Sequence, residues 1–268
     1  MAILTLLTDF GTRDWYVAAV KGVVLGRCPE ARIVDLSHEV PPGDVETAAF
    51  LLAAAAPAFP TGTLHLAVVD PGVGSGRRIL LVETGEALLL APDNGLLTPF
   101  FPQARTVRRV ERPDLHRPSP GETFHGRDRF APVAAALLSG APAGELGPEI
   151  DDPVRLPGEP PCRDGNLLLG RVVYIDRFGN LVTDLPAAWL PQGNFEAEVE
   201  GHTATRRVTH YRELGPGEAG VLTGSLGTLE LSQDGIDLAR LWKIERGAIV
   251  KIALQGSAPA TDRAFRLQ

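Results

Sequence analysis

A chain of 268 residues with 44% hydrophobic and 22% charged residues has the balance of a soluble globular protein, long enough to bury one large core or two modest ones. Its net charge of −7, with no clustered Lys/Arg stripe, argues against nucleic acid or an anionic membrane as a partner. Cys28 and Cys162 make neither a disulfide framework nor a zinc site, no apolar run is long enough to span a bilayer, and no basic leader precedes the first apolar segment, so the expected compartment is the cytoplasm.

Residues 2–8 read as a buried strand ending at Asp9-Phe10-Gly11, followed by a helix from about Asp14 to Gly26 with Asp14 as its N-cap. A second strand covers 32–36, an alanine-rich helix opens at Gly43-Asp44-Val45-Glu46 and stops near Pro57, and a third strand covers 63–70. Strands at 78–83 and 87–91 and a helix over 129–138 complete this half. Strands alternating with helices predict an α/β domain over 1–158 with a mostly parallel central sheet covered on both faces. Ligands in such sheets sit beyond the carboxyl ends of strands, where Asp9 and Asp70 both fall. Residues 147–166, rich in Pro, Gly, Asp and Glu, have linker composition. Beyond them, short strands at 167–175, 195–200, 219–223, 227–232 and 248–254 predict a smaller antiparallel β-barrel or sandwich domain over 166–268.

Four segments carry residue types suited to chemistry. Thr8-Asp9-Phe10-Gly11 puts a carboxylate at a strand end, where it can accept two hydrogen bonds from a ribose diol or simply shape a turn. Val69-Asp70-Pro71-Gly72-Val73-Gly74-Ser75-Gly76-Arg77 places an acid and a guanidinium at the two ends of a glycine loop, able to converge on one point or to form a surface ion pair. The loop lacks the Gly-Lys-Ser/Thr ending of a phosphate loop. Thr123-Phe124-His125-Gly126 sets a histidine just before a helix start. Asp176-Arg177-Phe178-Gly179-Asn180 is either an ordinary hairpin or a stacking ring with an amide to read a base edge. His38-Glu39 is no metalloprotease helix, because Pro42 stands where the second His belongs, and no His, Cys and acidic cluster has metal-ligand spacing.

Together with Pro92-Asp93-Asn94-Gly95-Leu96-Leu97 and Ser225-Leu226-Gly227 with Glu230, these segments resemble the S-adenosyl-L-methionine hydroxide adenosyltransferase family, relatives of fluorinase and chlorinase, in order along nearly the whole chain. The resemblance implies an N-terminal α/β domain, a C-terminal β-barrel, and a homotrimer whose sites lie between the N-terminal domain of one subunit and the C-terminal domain of its neighbour. It implies hydrolysis of S-adenosyl-L-methionine to adenosine and L-methionine, with that molecule as substrate and no cofactor or metal. The family's Asp-Arg-His set falls on Asp70, Arg77 and His125, which gather around a water molecule: Arg77 stabilises developing hydroxide, His125 accepts or relays the proton, and Asp70 orients the water. Asp9 falls on the ribose-binding position, with Asp14 and Phe124 in the same substrate-binding set. Phe178 and Tyr211 face adenine, Asn180 reads its edge, Asp176 pairs with the methionine ammonium, and Ser225 bonds the polar end of the substrate. Glu230 matches an acidic position without an assigned role. Leu226 stands where fluorinase has the Arg that reaches the methionine carboxylate, and Gly43 stands where it has Trp. The short stretch between Arg78 and Pro92, without the extra fluorinase loop, favours water over halide. A chlorinase-type halogenase and a non-catalytic sensor of adenosine or S-adenosyl-L-methionine are the alternative readings.

Overall fold

Segments in which almost every residue is apolar become strands buried on both faces, and such segments organise the first of two compact units, Met1–Pro157 and Gly158–Gln268. The computed structural model describes residues 3–255. The first unit runs β1 (Ile3–Thr8), α1 (Tyr16–Arg27), β2 (Arg32–Ser37), α2 (Val45–Ala55), β3 (Thr63–Val68), β4 (Ile79–Glu83), β5 (Ala87–Pro92), β6 (Thr106–Arg109) and α3 (Ala131–Leu138). The sheet order is β2-β1-β3-β5-β4-β6, with β2, β1, β3 and β5 parallel and β4 antiparallel to both neighbours. Alternate residues point to opposite faces. Leu4, Leu6, Leu64 and Leu66 therefore pack with Val20, Val24, Val133 and Leu137 of α1 and α3. Leu7, Ala67 and Val69 pack with Ala48 and Leu52 of α2 on the other side.

The helix starts differ from the sequence expectation in two places. Asp14 does not cap α1: Trp15 holds the N-cap position in helical backbone with no side-chain cap bond, and Asp14 lies exposed in the bend before it. Packing of Trp15 and Tyr16 against Phe124 sets the entry instead. By contrast, α2 is capped through its side chain, Asp44 accepting from the Thr47 backbone N–H at 3.0 Å and from its hydroxyl at 2.7 Å. The last helix begins earlier than its apolar pattern, because a π turn over Gly126–Phe130 precedes α3.

The first part of the Pro- and Gly-rich stretch is not a free linker. Backbone N–H groups of Arg109 and Ile150 donate to Pro148 and Val107, extending the edge at β6. Asp93 accepts the Val154 N–H at 2.8 Å, Thr98 Oγ1 accepts the Leu156 N–H at 2.8 Å, and Arg78 grips both the side chain and the carbonyl of Asp152 at 2.7 Å. Residues 148–156 thus form a strap bound to the first unit by partners far away in sequence, invisible to composition.

The second unit runs β7 (Cys162–Asp164), β8 (Leu167–Ile175), β9 (Leu181–Pro186), β10 (Phe195–Val199), β11 (His202–Ala204), β12 (Arg206–Arg207), β13 (Ala219–Thr223), β14 (Thr228–Gln233), α4 (Leu238–Trp242) and β15 (Ile249–Leu254). Its strands follow the order β11-β10-β15-β8-β9-β14-β13-β12, with β7 beside β8. All pairs are antiparallel except β12 with β13. The two end strands, β11 and β12, are joined by Thr205 alone, so the chain itself draws the sheet into a nearly closed barrel around Leu168, Leu181, Leu231 and Ile252. Among the described residues, no helix is long and apolar enough to cross a membrane.

The strap makes a prediction. Asp93, with a side chain only 2% exposed, depends on Arg78 Nε at 2.6 Å. Arg78→Ala should cost roughly 3 kcal/mol by leaving a buried carboxylate without its cation, read as a lowered urea midpoint. It should also speed tryptic cleavage at Arg155; unchanged cleavage would show that Arg78 does not hold the strap.

Candidate active site

From β1 the chain crosses to β2 on one side and returns to β3 on the other, so a topological switch point opens between adjacent parallel strands. Thr8 and Val68 are register partners there, which sets Asp9 and Asp70 just beyond the same end of the sheet. The Asp9 loop is held from both sides. Thr8 Oγ1 lies 2.8 Å from Nδ1 of buried His38, His38 Nε2 lies 3.1 Å from Asp35 Oδ1, and Lys21 closes the row on Asp35 at 2.6 Å. The His38 carbonyl accepts the Gly11 N–H at 2.8 Å. Asp9 itself accepts the Gly43 N–H at 2.8 Å. A Cβ at Gly43 would lie 3.6 Å from that of Pro71, so the Asp9 and Asp70 loops meet across this glycine.

Asp70 and Arg77 do converge. Their glycine-rich connection folds as tight turns, Val73 N–H donating to the Asp70 carbonyl and Ser75 to that of Gly72, with Gly74 at φ +82°. Arg77 Nε reaches both Asp70 oxygens at 2.8 Å, and Nη2 bonds Oδ2 as well. This is a buried pair, with side chains 9% and 5% exposed. The same Nη2 lies 2.9 Å from His125 Nδ1, and the guanidinium carbon stands 5.1 Å over the Phe130 ring. Asn94 steadies the end of β3 by donating to the Val69 carbonyl at 2.9 Å. Thus Asp70, Arg77 and His125, from three segments, form one hydrogen-bonded set.

A guanidinium has no acceptor, so His125 Nδ1 must be the acceptor of the Arg77 bond and the ring proton sits on Nε2. That N–H donates to Glu122 Oε2 at 3.0 Å, and Arg129 bonds the same carboxylate oxygen. Burial holds the His125 imidazole below its ordinary value, Arg129 and Arg77 acting in the same direction and Glu122 against them. Glu122 had no signal in the sequence: it is an exposed acid in a loop, and only the fold brings it to a buried histidine.

Beside this set, a hollow of about 630 Å³ is lined by Asp9, Phe10, Trp15, Tyr16, Phe124 and Arg127, together with residues 119–121 and Thr123. Phe124 meets Phe10, Trp15 and Tyr16 edge-on, with ring centroids 5.9, 5.4 and 5.1 Å away. Arg127 covers Phe124 at 5.0 Å while forking onto Asp128. Gly126 lets the rings close: a Cβ there would lie 3.2 Å from Phe10 Cζ. Asp14 is not among the lining residues.

In the second unit, Asp176, Phe178, Asn180 and Tyr211 line a separate hollow of about 420 Å³. Asp176 shapes its own turn, accepting N–H groups of Phe178 and Asn180 at 2.9 Å and the Asn180 amide at 2.8 Å. Asn180 is buried and its oxygen takes the Ser232 hydroxyl, while Phe178 stands 74% exposed at the rim. Tyr211 donates to buried Glu230 at 2.9 Å. Burial pushes the Glu230 carboxyl up; burial and the Glu230 bond push the Tyr211 hydroxyl up to about 12. Ser225 lies exposed on the β13–β14 turn, outside this lining. Among the described residues, no group of three or more His, Cys, Asp or Glu could hold a metal ion.

Comparison with known proteins gives this geometry a family. Residues 4–147 match the SAM hydroxide adenosyltransferase N-terminal domain and residues 170–251 the C-terminal domain. The chain is 36% identical over 254 residues to the (R)-S-adenosyl-L-methionine hydrolase of Salinispora tropica, covering 93% of this chain and 97% of that protein. It is 42% identical over 238 residues to the hydrolase of the same name from Thermus thermophilus, covering 84% and 89%. The crystal structure of an uncharacterized conserved protein from Thermotoga maritima superimposes with a TM-score of 0.87 at 30% identity, over 93% of this chain and 99% of that one. With both of its halves matched in order, the chain belongs to the S-adenosyl-L-methionine hydroxide adenosyltransferase family.

Proposed function

We propose that this protein hydrolyses S-adenosyl-L-methionine to adenosine and L-methionine, a water-derived hydroxide attacking the ribose 5′ carbon opposite the departing sulfur. The observation that carries the reading is the contact of Asp70, Arg77 and His125 beside Asp9 at the switch point of a parallel sheet. The substrate follows from the names of the Salinispora and Thermus relatives.

The sulfonium leaves as neutral methionine sulfur and needs no proton, so the barrier lies with the nucleophile. Bulk water has a pKa of about 15.7, and the site must hold and polarise it. Arg77 has only donors, and both ring nitrogens of His125 are engaged, by Arg77 and by Glu122. Asp70, an acceptor of several hydrogen bonds, is the member with capacity left for the O–H of water. In this mechanism Asp70 takes that hydrogen bond and accepts the proton of the water as the C5′–O bond forms and the C5′–S bond breaks, Arg77 offsets the developing charge, and neutral His125 holds the guanidinium rather than acting as the base. Positioning of water and carbon then contributes roughly 7–11 kcal/mol in favourable cases.

Asp9 holds the ribose hydroxyls, and the aromatic wall that includes Phe124 suits the cationic sulfonium. Asp14, exposed in the bend before α1, belongs to the same substrate-binding set. In the second unit, Phe178 and Tyr211 face adenine, Asn180 holds its edge through its amide, Asp176 pairs with the ammonium, and Ser225 bonds the methionine end, with Glu230 fixing Tyr211. We read the enzyme as a cytoplasmic homotrimer in which each site draws on the first unit of one subunit and the second unit of its neighbour. Two free cysteines, Cys28 and Cys162, accord with a reducing compartment.

Chromatography of products from S-adenosyl-L-methionine tests the reaction: adenosine and methionine are expected with or without chloride, and 5′-chloro-5′-deoxyadenosine would transfer the assignment to a halogenase. Asp70→Ala and His125→Ala should each lower kcat by about 10²–10⁴-fold while adenosine still binds; near wild-type turnover in either would break the triad. Asp9→Ala should weaken adenosine binding about 10- to 100-fold in calorimetry, the worth of hydrogen bonds to a charged group. On the acid side, protonation of His125 sets a second ring N–H and a like charge against Arg77. The His125 value is depressed by burial, so kcat/KM should fall with a midpoint below about 6.5, the ordinary imidazole value. A midpoint above that in a pH–rate profile would contradict the neutral His125.

A further inference from the structure

The row Asp70–Arg77–His125–Glu122–Arg129 alternates acceptor and donor along its whole length. His125 is its neutral link, 2% exposed, with the Arg77 guanidinium on one ring nitrogen and the Glu122 carboxylate on the other. Only one arrangement of ring protons satisfies both contacts. With the proton on Nδ1, two donors would meet at Arg77 and a lone pair would face a carboxylate at Glu122, so both bonds fail together. From this geometry we infer that Glu122 is a positioning residue, which locks His125 as the Nε2–H tautomer and thereby fixes the Arg77 guanidinium against Asp70.

Local structure supports the role. Glu122 stands three residues before His125, and His125 opens the π turn that carries Gly126–Phe130. Arg129, on that same turn, bonds the Glu122 oxygen that accepts from His125, so the carboxylate is tethered at the point where it acts. Phe130, the last residue of the turn and wholly buried, supplies the face under Arg77. One short segment therefore holds the guanidinium twice, through a ring face and through the imidazole that Glu122 orients. The charged and titratable groups around His125 are Glu122, Arg129, Arg77 with its partner Asp70, and His116. Of these, Glu122 is the acceptor for the ring's outer nitrogen.

The inference rests on the hydrolase reading for its consequence in catalysis, and its test has a readout that does not. Ring-nitrogen NMR of the ¹⁵N-histidine-labelled full chain reports the tautomer of His125 directly, with no substrate present. The wild type should show protonated Nε2 at neutral pH, and Glu122→Gln, whose amide oxygen still accepts, should keep it. Glu122→Ala should show mixed tautomers, with kcat down about tenfold and KM within about twofold, as expected for misplacement of a group that does not touch substrate. Glu122→Gln should recover a large part of the loss. A wild-type Nδ1–H signal, or a Glu122→Ala protein with the wild-type tautomer and wild-type kcat, would overturn the inference. If the wild type released no adenosine, the hydrolase reading would fall while the NMR signals still decided the role of Glu122.

Discussion

The first unit depends on a guanidinium that is out of water. Arg77 cannot shed its charge by losing a proton, so burying it demands a permanent set of partners. Asp70 supplies the counter-charge, Phe130 a ring face, and His125 a lone pair that costs no further charge. They come from two segments, each shaped accordingly: turns through Gly72 and Gly74 bring Arg77 back toward Asp70, Asn94 holds the end of β3, and a π turn presents His125 and Phe130 together. The neutral state of His125 follows from the same constraint, since a second cation beside Arg77 would be repelled.

The carboxyl end of the sheet is stiffened by polar rows rather than by apolar packing alone. The Lys21–Asp35–His38–Thr8 row backs the Asp9 loop on one side of the switch point. The Asp70–Arg77–His125–Glu122–Arg129 row backs the other. In both, a buried histidine joins a threonine or arginine at the site to a partly exposed acid, which in turn meets a cation near the surface. The outer ends of the rows are more exposed than their inner ends, so ordering increases toward the place where the reacting groups would meet.

Much of this could be read from residues alone, for identifiable reasons. The segments that became β1 and β3 are nearly continuous apolar runs, and the acids beyond them landed at the switch point that a parallel sheet requires. Asp70 and Arg77 were readable as a pair because a glycine loop leaves them little else to do. What escaped was decided by tertiary contact. β6 is short and β9 is interrupted by Thr183 and Asp184, so their pairing shows only once neighbouring strands are present. Asp14 has the chemistry of an N-cap, yet the packing of Trp15 and Tyr16 starts α1 later. Residues 148–156 have the composition of a tether, and their anchors Arg78, Asp93 and Thr98 lie some fifty or more positions upstream. Glu122 looks like any loop acid until His125 is folded beside it.

The π turn at Gly126–Phe130 has a consequence for how this family can vary. A π turn holds one residue more than an α-helical turn covering the same rise. Deleting a residue within it would restore a regular helix, but successive positions differ by about 100° around a helix axis. His125 would then swing away from Arg77 while Phe130 stayed in the core. Chain length at this point, as much as residue identity, therefore separates a sequence that can assemble the set from one that cannot. A descendant that lost the extra residue could keep Asp70, Arg77 and His125, and the whole fold, without keeping the geometry.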